Sequence, residues 1–179
     1  CVRLVYNDHE NIKSPLPFES GLGVDRKDSR VVSLLQHRDD VGEISRLAVP
    51  GDFRRRRADA GSPVGDITGR SFTRDERRHF PHIPLGLYLA AAAIGLEMGM
   101  QGVFAMMEPR LARHLLRFGI VFEQLSQLTD YHGERALFYI NRQGLFEHLH
   151  PSVGELLEII QNEISAQLAA DSKLAHNGS

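Results

Sequence analysis

Hydrophobic positions along the chain change period several times, and each change marks a predicted element. Cys1 to Tyr6 is short, alternating and β-branched, which predicts a strand, with a turn over 7–13. Residues 14–23 carry Pro15, Pro17, Gly21 and Gly23 and exclude regular helix. Residues 25–40 are charged around Val31, Val32, Leu34 and Leu35, and read as one short helix or a loop. In Glu43 to Val49 the period returns to two, with Glu43, Ser45, Leu47 and Val49 on one face and Ile44, Arg46 and Ala48 on the other.

Further along, residues 58–71 are rich in Gly, Ser, Asp and Pro and predict a flexible surface insertion, after which Thr73 and Glu76 fit a capping box. Leu85 to Met98 is apolar nearly all round, with Pro84 at its first position and Gly99 as its stop, and predicts a buried helix. Gly102 to Met107 predicts a buried strand, and Pro109 opens a helix over 110–118 that ends at Gly119. Two more strands are predicted at Ile120–Leu125 and Ala136–Asn141, around a turn at 130–135. Ser152 and Glu155 fit a second capping box, opening an amphipathic helix over 152–170 with Val153, Leu156, Leu157, Ile160, Ile164 and Leu168 on one face and a frayed tail at 171–179. Helices and strands in this order imply a mixed α/β sheet flanked by helices in a single domain over 1–179.

Composition narrows the function classes without choosing among them. Hydrophobic residues at 42% and charged residues at 25% are ordinary globular values, and a net charge of −2 excludes a globally basic nucleic-acid binder. Cys1 is the one cysteine, which excludes an internal disulfide framework and a Cys-rich zinc site and favours a reducing, cytoplasmic setting. No His-x-x-x-His pair occurs, so no metal is expected. The longest apolar run, Ile83 to Leu96, is short and Ala/Gly-rich and reads as a buried helix, not a membrane span.

The polar residues of the 43–49 strand are what raise a chemical question. Burying Glu, Ser and Arg among aliphatic neighbours costs free energy unless they are paired or used. Glu43-Ile-Ser-Arg-Leu-Ala-Val49 followed by Phe53-Arg-Arg-Arg-Arg57 closely resembles the signature strand of the N-acyl amino acid synthases associated with exosortase (PEP-CTERM) systems. These are relatives of the acyl-homoserine lactone synthases within the GNAT acyltransferase fold. Val2 to Val5 with Pro15-Leu-Pro-Phe-Glu19, Gly86 to Gly119, and Asp130 to Arg135 fit the same family in the same order, so the resemblance covers roughly residues 2–140. In that family a further N-terminal segment precedes the Arg-Leu-Val strand. The resemblance therefore implies a GNAT-like domain whose N-terminal part is missing.

It also implies an activity: transfer of a fatty acyl group from an acyl carrier protein thioester to the α-amine of an amino acid or similar small amine, with no tightly bound cofactor. Glu43 is then the candidate general base, with Ser45 as relay, and the alternative for Glu43 is a strand carboxylate paired to an arginine. The Leu47, Ala48 and Val49 backbone would stabilise the oxyanion. Arg46, on the face opposite Glu43, is a substrate-side residue whose family counterpart joins a charged network, or else a lone, solvated strand arginine. Phe53 and Arg54, Arg55, Arg56 and Arg57 form a donor-docking patch for the carrier protein and its phosphopantetheine, where ordinary GNAT enzymes have a glycine-rich coenzyme A loop; plain surface and nucleic-acid contact are the other readings. His132, Arg135 and Tyr139 fall on the acceptor side, with His132 alternatively a turn residue, and Gly133 allows a positive φ there. Glu19 matches a family position or is an exposed loop carboxylate. Met98, Met100, Met106 and Met107 line an acyl channel or are simple core. Two other classes stay open, a non-catalytic carrier-binding module and a coenzyme A-dependent acetyltransferase.

Overall fold

A computed structural model describes residues 1–7, 14–20, 28–46, 82–130 and 133–176. Among these residues the order is β1 (Arg3–Tyr6), a 3-10 turn (Pro17–Ser20), α1 (Ser29–Leu35), a second 3-10 turn (Arg38–Asp40), β2 (Val41–Ser45), α2 (His82–Glu97), β3 (Gly102–Met107) and α3 (Pro109–Leu116). The chain continues with β4 (Glu123–Gln124), β5 (Thr129–Asp130), β6 (Glu134–Asn141), α4 (Arg142–Glu147) and α5 (Pro151–His176). The strands form one mixed sheet in the order β1-β2-β3-β6-β4, with β5 pairing the start of β6. Its neighbours are antiparallel except β2 and β3, which run parallel from Val41↔Gly102 to Ile44↔Ala105. Parallel neighbours require a crossover, and α2 lies in the stretch between them.

Each face of the sheet carries its own core, and β6 shows the division most plainly. Ala136, Phe138 and Ile140 point into a cluster with Leu89 and Ala93 of α2 and Val153 and Leu157 of α5. Leu137 and Tyr139 point the other way, into a cluster with Leu16, Phe18, Val31, Val41 and Phe104. A strand buried on both faces reads in sequence as a continuous apolar run, which is what Ala136 to Ile140 is. The fully buried leucines and phenylalanines contribute about 2 kcal/mol each by removal from water. Among the described residues no helix is long and apolar enough to cross a membrane.

The fold is α/β with a mixed sheet flanked by helices, as the order of elements predicts. Residues 29–35 resolve the ambiguity of the 25–40 stretch as helix, because the Asp28 carboxylate caps it by accepting from the Arg30 and Val31 N–H groups. Both glycine stops hold, with Gly99 at φ 74 and Gly119 at φ 80. Other boundaries move. The strand expected over 120–125 shrinks to the two residues Glu123–Gln124, while β6 begins at Glu134, so Arg135 is a strand residue and not a turn residue. Pro84 is the third residue of α2, still within the first turn, where no intrahelical partner is lost. At α5, Pro151 takes the first helical position, the Val153 and Gly154 N–H groups bond the His150 carbonyl, and the Ser152 hydroxyl pairs with His150 Nδ1 at 2.9 Å, so the expected capping box does not form. The helix then runs past residue 170 to His176, and α4 was not foreseen.

Candidate active site

β2 is the most enclosed polar strand of the sheet, with β1 on one side and β3 on the other. Alternation turns Val41, Glu43 and Ser45 toward the face covered by residues 14–20 and α1, and Glu43 is 2% exposed. Its cross-strand row is Val5, Glu43, Phe104 and Tyr139, so a carboxyl stands where an aliphatic side chain would otherwise pack. Of the described residues, Phe18 supplies the hydrogen bond that reaches it, from its N–H to Glu43 Oε2 at 2.8 Å. Burial pushes the Glu43 carboxyl up to about 7, against the downward pull of the Phe18 N–H and the positive Arg3, with the Glu19 carboxylate adding to the rise. No arginine among the described residues forms an ion pair with it.

Among the described residues the pairing of the two parallel strands ends at Ile44 and Ala105. Ser45 closes β2, its hydroxyl accepting from Arg3 Nε at 3.1 Å, and Arg46 follows with φ 55. A non-glycine residue in this left-handed region costs about 1 kcal/mol and breaks the alternation of the strand. Arg46, Ser45, Ile44 and Glu43 all line one cavity, which takes residues from both faces of the strand. This cavity, about 670 Å³, opens where β2 and β3 part, at the carboxyl ends of the parallel pair, the usual place for a ligand in an α/β sheet.

Arg3, Glu108 and Arg135 join Glu43 and Arg46 around it. Arg135 reaches it from β6, and its Nε is buried with no hydrogen-bond partner among the described residues. Tyr88 of α2 also lines it, with a hydroxyl whose pKa burial raises and the neighbouring Arg135 lowers. A second cavity of about 50 Å³ lies between α2 and the sheet, lined almost wholly by apolar groups including Ala92, Gly95, Met100, Val103 and Phe122. Ile44 and Tyr88 line both cavities and stand between them.

Of the residues singled out in the sequence, Glu43, Ser45, Arg46 and Arg135 are brought together. Tyr139 is not. Its ring packs on Phe104 at 5.0 Å inside the second core and lies against Gly102, at the end of β3 remote from the cavity; burial raises its pKa. Met106 and Met107 line the polar cavity and Met100 the apolar one, while Met98 is exposed. Glu19 is buried and paired, not an exposed loop carboxylate. Leu47, Ala48, Val49, Phe53, Arg54 to Arg57, His132, the 58–71 insertion and the Thr73–Glu76 pair lie outside the described residues. Gly133 has the expected positive φ, at 104.

Sequence reading missed Arg3, Tyr88 and Glu108. Tyr88 had a signal, as the hydroxyl-bearing residue of an otherwise apolar helix. Arg3 shares a register position with Ser45, which only the sheet pairing reveals. Comparison with known proteins finds no matching family model, no matching curated protein and no matching solved structure.

Proposed function

We propose that this chain is the acyl-transfer domain of an N-acyltransferase of GNAT-like fold, which moves a fatty acyl group from an acyl carrier protein thioester to the α-amine of an amino acid or similar small amine. The observation that carries the reading is Glu43: a buried carboxyl, raised to about 7, on the wall of a large cavity at the point where two parallel strands part. A base for an amine at neutral pH needs a proton affinity near the working pH, and an ordinary exposed carboxylate is too weak.

In this reading the acceptor's amine enters the cavity and loses a proton to Glu43, directly or through a water. The neutral amine attacks the thioester carbonyl carbon, an oxyanion forms on oxygen and a positive charge on nitrogen, and collapse breaks the C–S bond as the nitrogen gives up a proton and the departing sulfur takes one up. The N-acyl product retains the new amide. Arg135, Arg46 and Arg3 put positive charge beside the base and suit an acceptor that carries a carboxylate. The apolar cavity behind Ile44 and Tyr88 suits part of the acyl chain. Backbone N–H groups at 47–49 as the oxyanion site and Arg54 to Arg57 as the carrier-docking patch complete the proposal.

The test is product mass spectrometry from a fatty-acid-producing bacterial host expressing the chain, alone and with any in-frame upstream coding sequence. N-acyl amino acids that disappear with Glu43→Gln support the proposal. Well-folded protein in both forms and no new lipid would count against it.

A further inference from the structure

Glu43 is held by a peptide N–H, and the groups that hold that peptide lie away from the cavity wall. Pro17–Ser20 is one 3-10 turn, closed by the Glu19 N–H donating to the Leu16 carbonyl at 2.9 Å. Phe18 in this turn directs its N–H to Glu43 and sets its ring on Phe104 at 4.8 Å. A single turn has no hydrogen-bonded ladder to fix the direction of that N–H.

Glu19 supplies the constraint. Its Oε1 accepts from the Leu16 N–H at 3.0 Å and from Arg38 Nη1 at 2.8 Å, and its Oε2 accepts from Arg38 Nη2 at 2.6 Å. The pairing is a two-pronged fork, the geometry in which a guanidinium fixes a carboxylate in orientation as well as in place. Arg38 belongs to the short turn that runs directly into β2, so the fork ties the Phe18 turn to the strand that carries Glu43. It also neutralises Glu19, a second carboxylate close enough to Glu43 to act on it electrostatically.

We infer that Glu19 and Arg38 are positioning residues for Glu43: their fork locks the Pro17–Ser20 turn so that the Phe18 N–H occupies one carboxyl oxygen and leaves the other for the cavity. The kinetic consequence rests on the reading of Glu43 as the base; the positioning itself does not. The other charged or titratable groups around Glu43 are Arg3 from β1, Arg46 at the end of β2, Tyr88 from α2, Glu108 before α3 and Arg135 from β6, and the substitutions below leave all of them in place.

The sign of the effect follows from the charges. Arg38→Met leaves Glu19 unneutralised and the turn untied, and both changes favour the protonated form of Glu43, raising its midpoint by about one pH unit. Arg38→Lys keeps the charge without the fork and produces a smaller rise. The experiment is a 13C NMR titration of glutamate side-chain carboxyls in the full chain, with the Glu43 resonance assigned by its loss in Glu43→Gln. The Phe18 amide proton is followed in parallel. Expected in the wild type is a Phe18 amide shift that titrates with the Glu43 carboxyl; in Arg38→Met the carboxyl midpoint rises and that coupling weakens. An unchanged midpoint in folded Arg38→Met overturns the inference. So does a wild-type Phe18 amide that ignores the Glu43 titration, a result that needs no variant. Where N-acyl transfer is measurable, the acid limb of the kcat/KM profile moves with the NMR midpoint. A midpoint that rises in Arg38→Met, while folded wild type carries out no transfer, upholds the positioning and sinks the acyltransferase reading instead.

Discussion

Glu43 and Arg135 line one cavity from β2 and β6, strands separated in the sheet by β3. An amino acid carries its amine and its carboxylate on one carbon, so a carboxyl and a guanidinium lining one cavity match the two groups of the proposed acceptor. The buried Nε of Arg135, which has no hydrogen-bond partner among the described residues, adds to the match, because a bound carboxylate would satisfy a donor that is costly to leave alone. Replacing Arg135 by Met is expected to lower kcat/KM for an amino-acid acceptor about 10- to 100-fold, mainly through KM, from the loss of one charged hydrogen-bonding partner. The decarboxylated amine of the same acceptor serves as the control. Equal losses for the two acceptors would show that Arg135 does not hold a carboxylate.

Glu43 also makes stability depend on pH in a direction opposite to that of an ordinary surface carboxylate. Its folded pKa of about 7 lies above the unfolded value of 4.5, so between these values the folded state binds the extra proton. The contribution to stability is full below about pH 4.5 and is lost as pH rises through 7, an interval worth about 3 kcal/mol. Glu43→Gln removes that slope. Urea unfolding at about pH 5 and pH 8 should show the variant gaining on the wild type at the higher pH by about 2 to 3 kcal/mol. Parallel profiles would mean that Glu43 titrates normally.

Much of this arrangement was legible in the sequence, and the part that was not has a physical reason. The β2 alternation put Glu43 and Ser45 on one face because side-chain period is a local property of a strand. Gly99 and Gly119 ended their helices because a left-handed residue is also a local requirement. The positive φ of Arg46 was not legible, since nothing in the residue's identity announces that the extended backbone ends there. Tyr139 is on the Glu43 face, as the period implies, yet the row that joins them is filled by Phe104, and that depends on the register of three strands. The Glu19–Arg38 fork spans nineteen residues and joins two loops, a pairing that no local pattern encodes.

Gly95 offers a test in which stability and specificity separate. It lies in α2 on the wall of the apolar cavity, and a Cβ placed there meets only Met100, at 3.5 Å from its sulfur. Gly95→Ala is therefore expected to stabilise the protein by about 1 kcal/mol through helix propensity, read as a shift in the urea midpoint. Larger side chains fill the cavity. If the acyl chain uses this space, Gly95→Leu shifts the N-acyl products toward shorter chains by mass spectrometry, while an unchanged distribution places the chain elsewhere.

Gly102 decides what Tyr139 is for. A Cβ at position 102 would run into the Tyr139 hydroxyl and the ring carbons beside it, so the tyrosine lies across the backbone of β3 in a space that only glycine leaves open. The two residues face each other at the Gly102 end of β3, while Met106 and Met107 reach the cavity at the other end. Gly102→Ala forces the ring to move within a packed core and is expected to cost about 1 to 3 kcal/mol. Shortening the partner should relieve part of that cost: in a Gly102→Ala/Tyr139→Leu cycle the double variant is expected to be more stable than the sum of the singles by at least about 0.5 kcal/mol. Tyr139→Phe, which keeps the ring and deletes the hydroxyl, should leave acceptor KM unchanged. A raised KM in that variant, with stability intact, would return Tyr139 to the acceptor site and show that its packing against Gly102 and Phe104 is not its whole role.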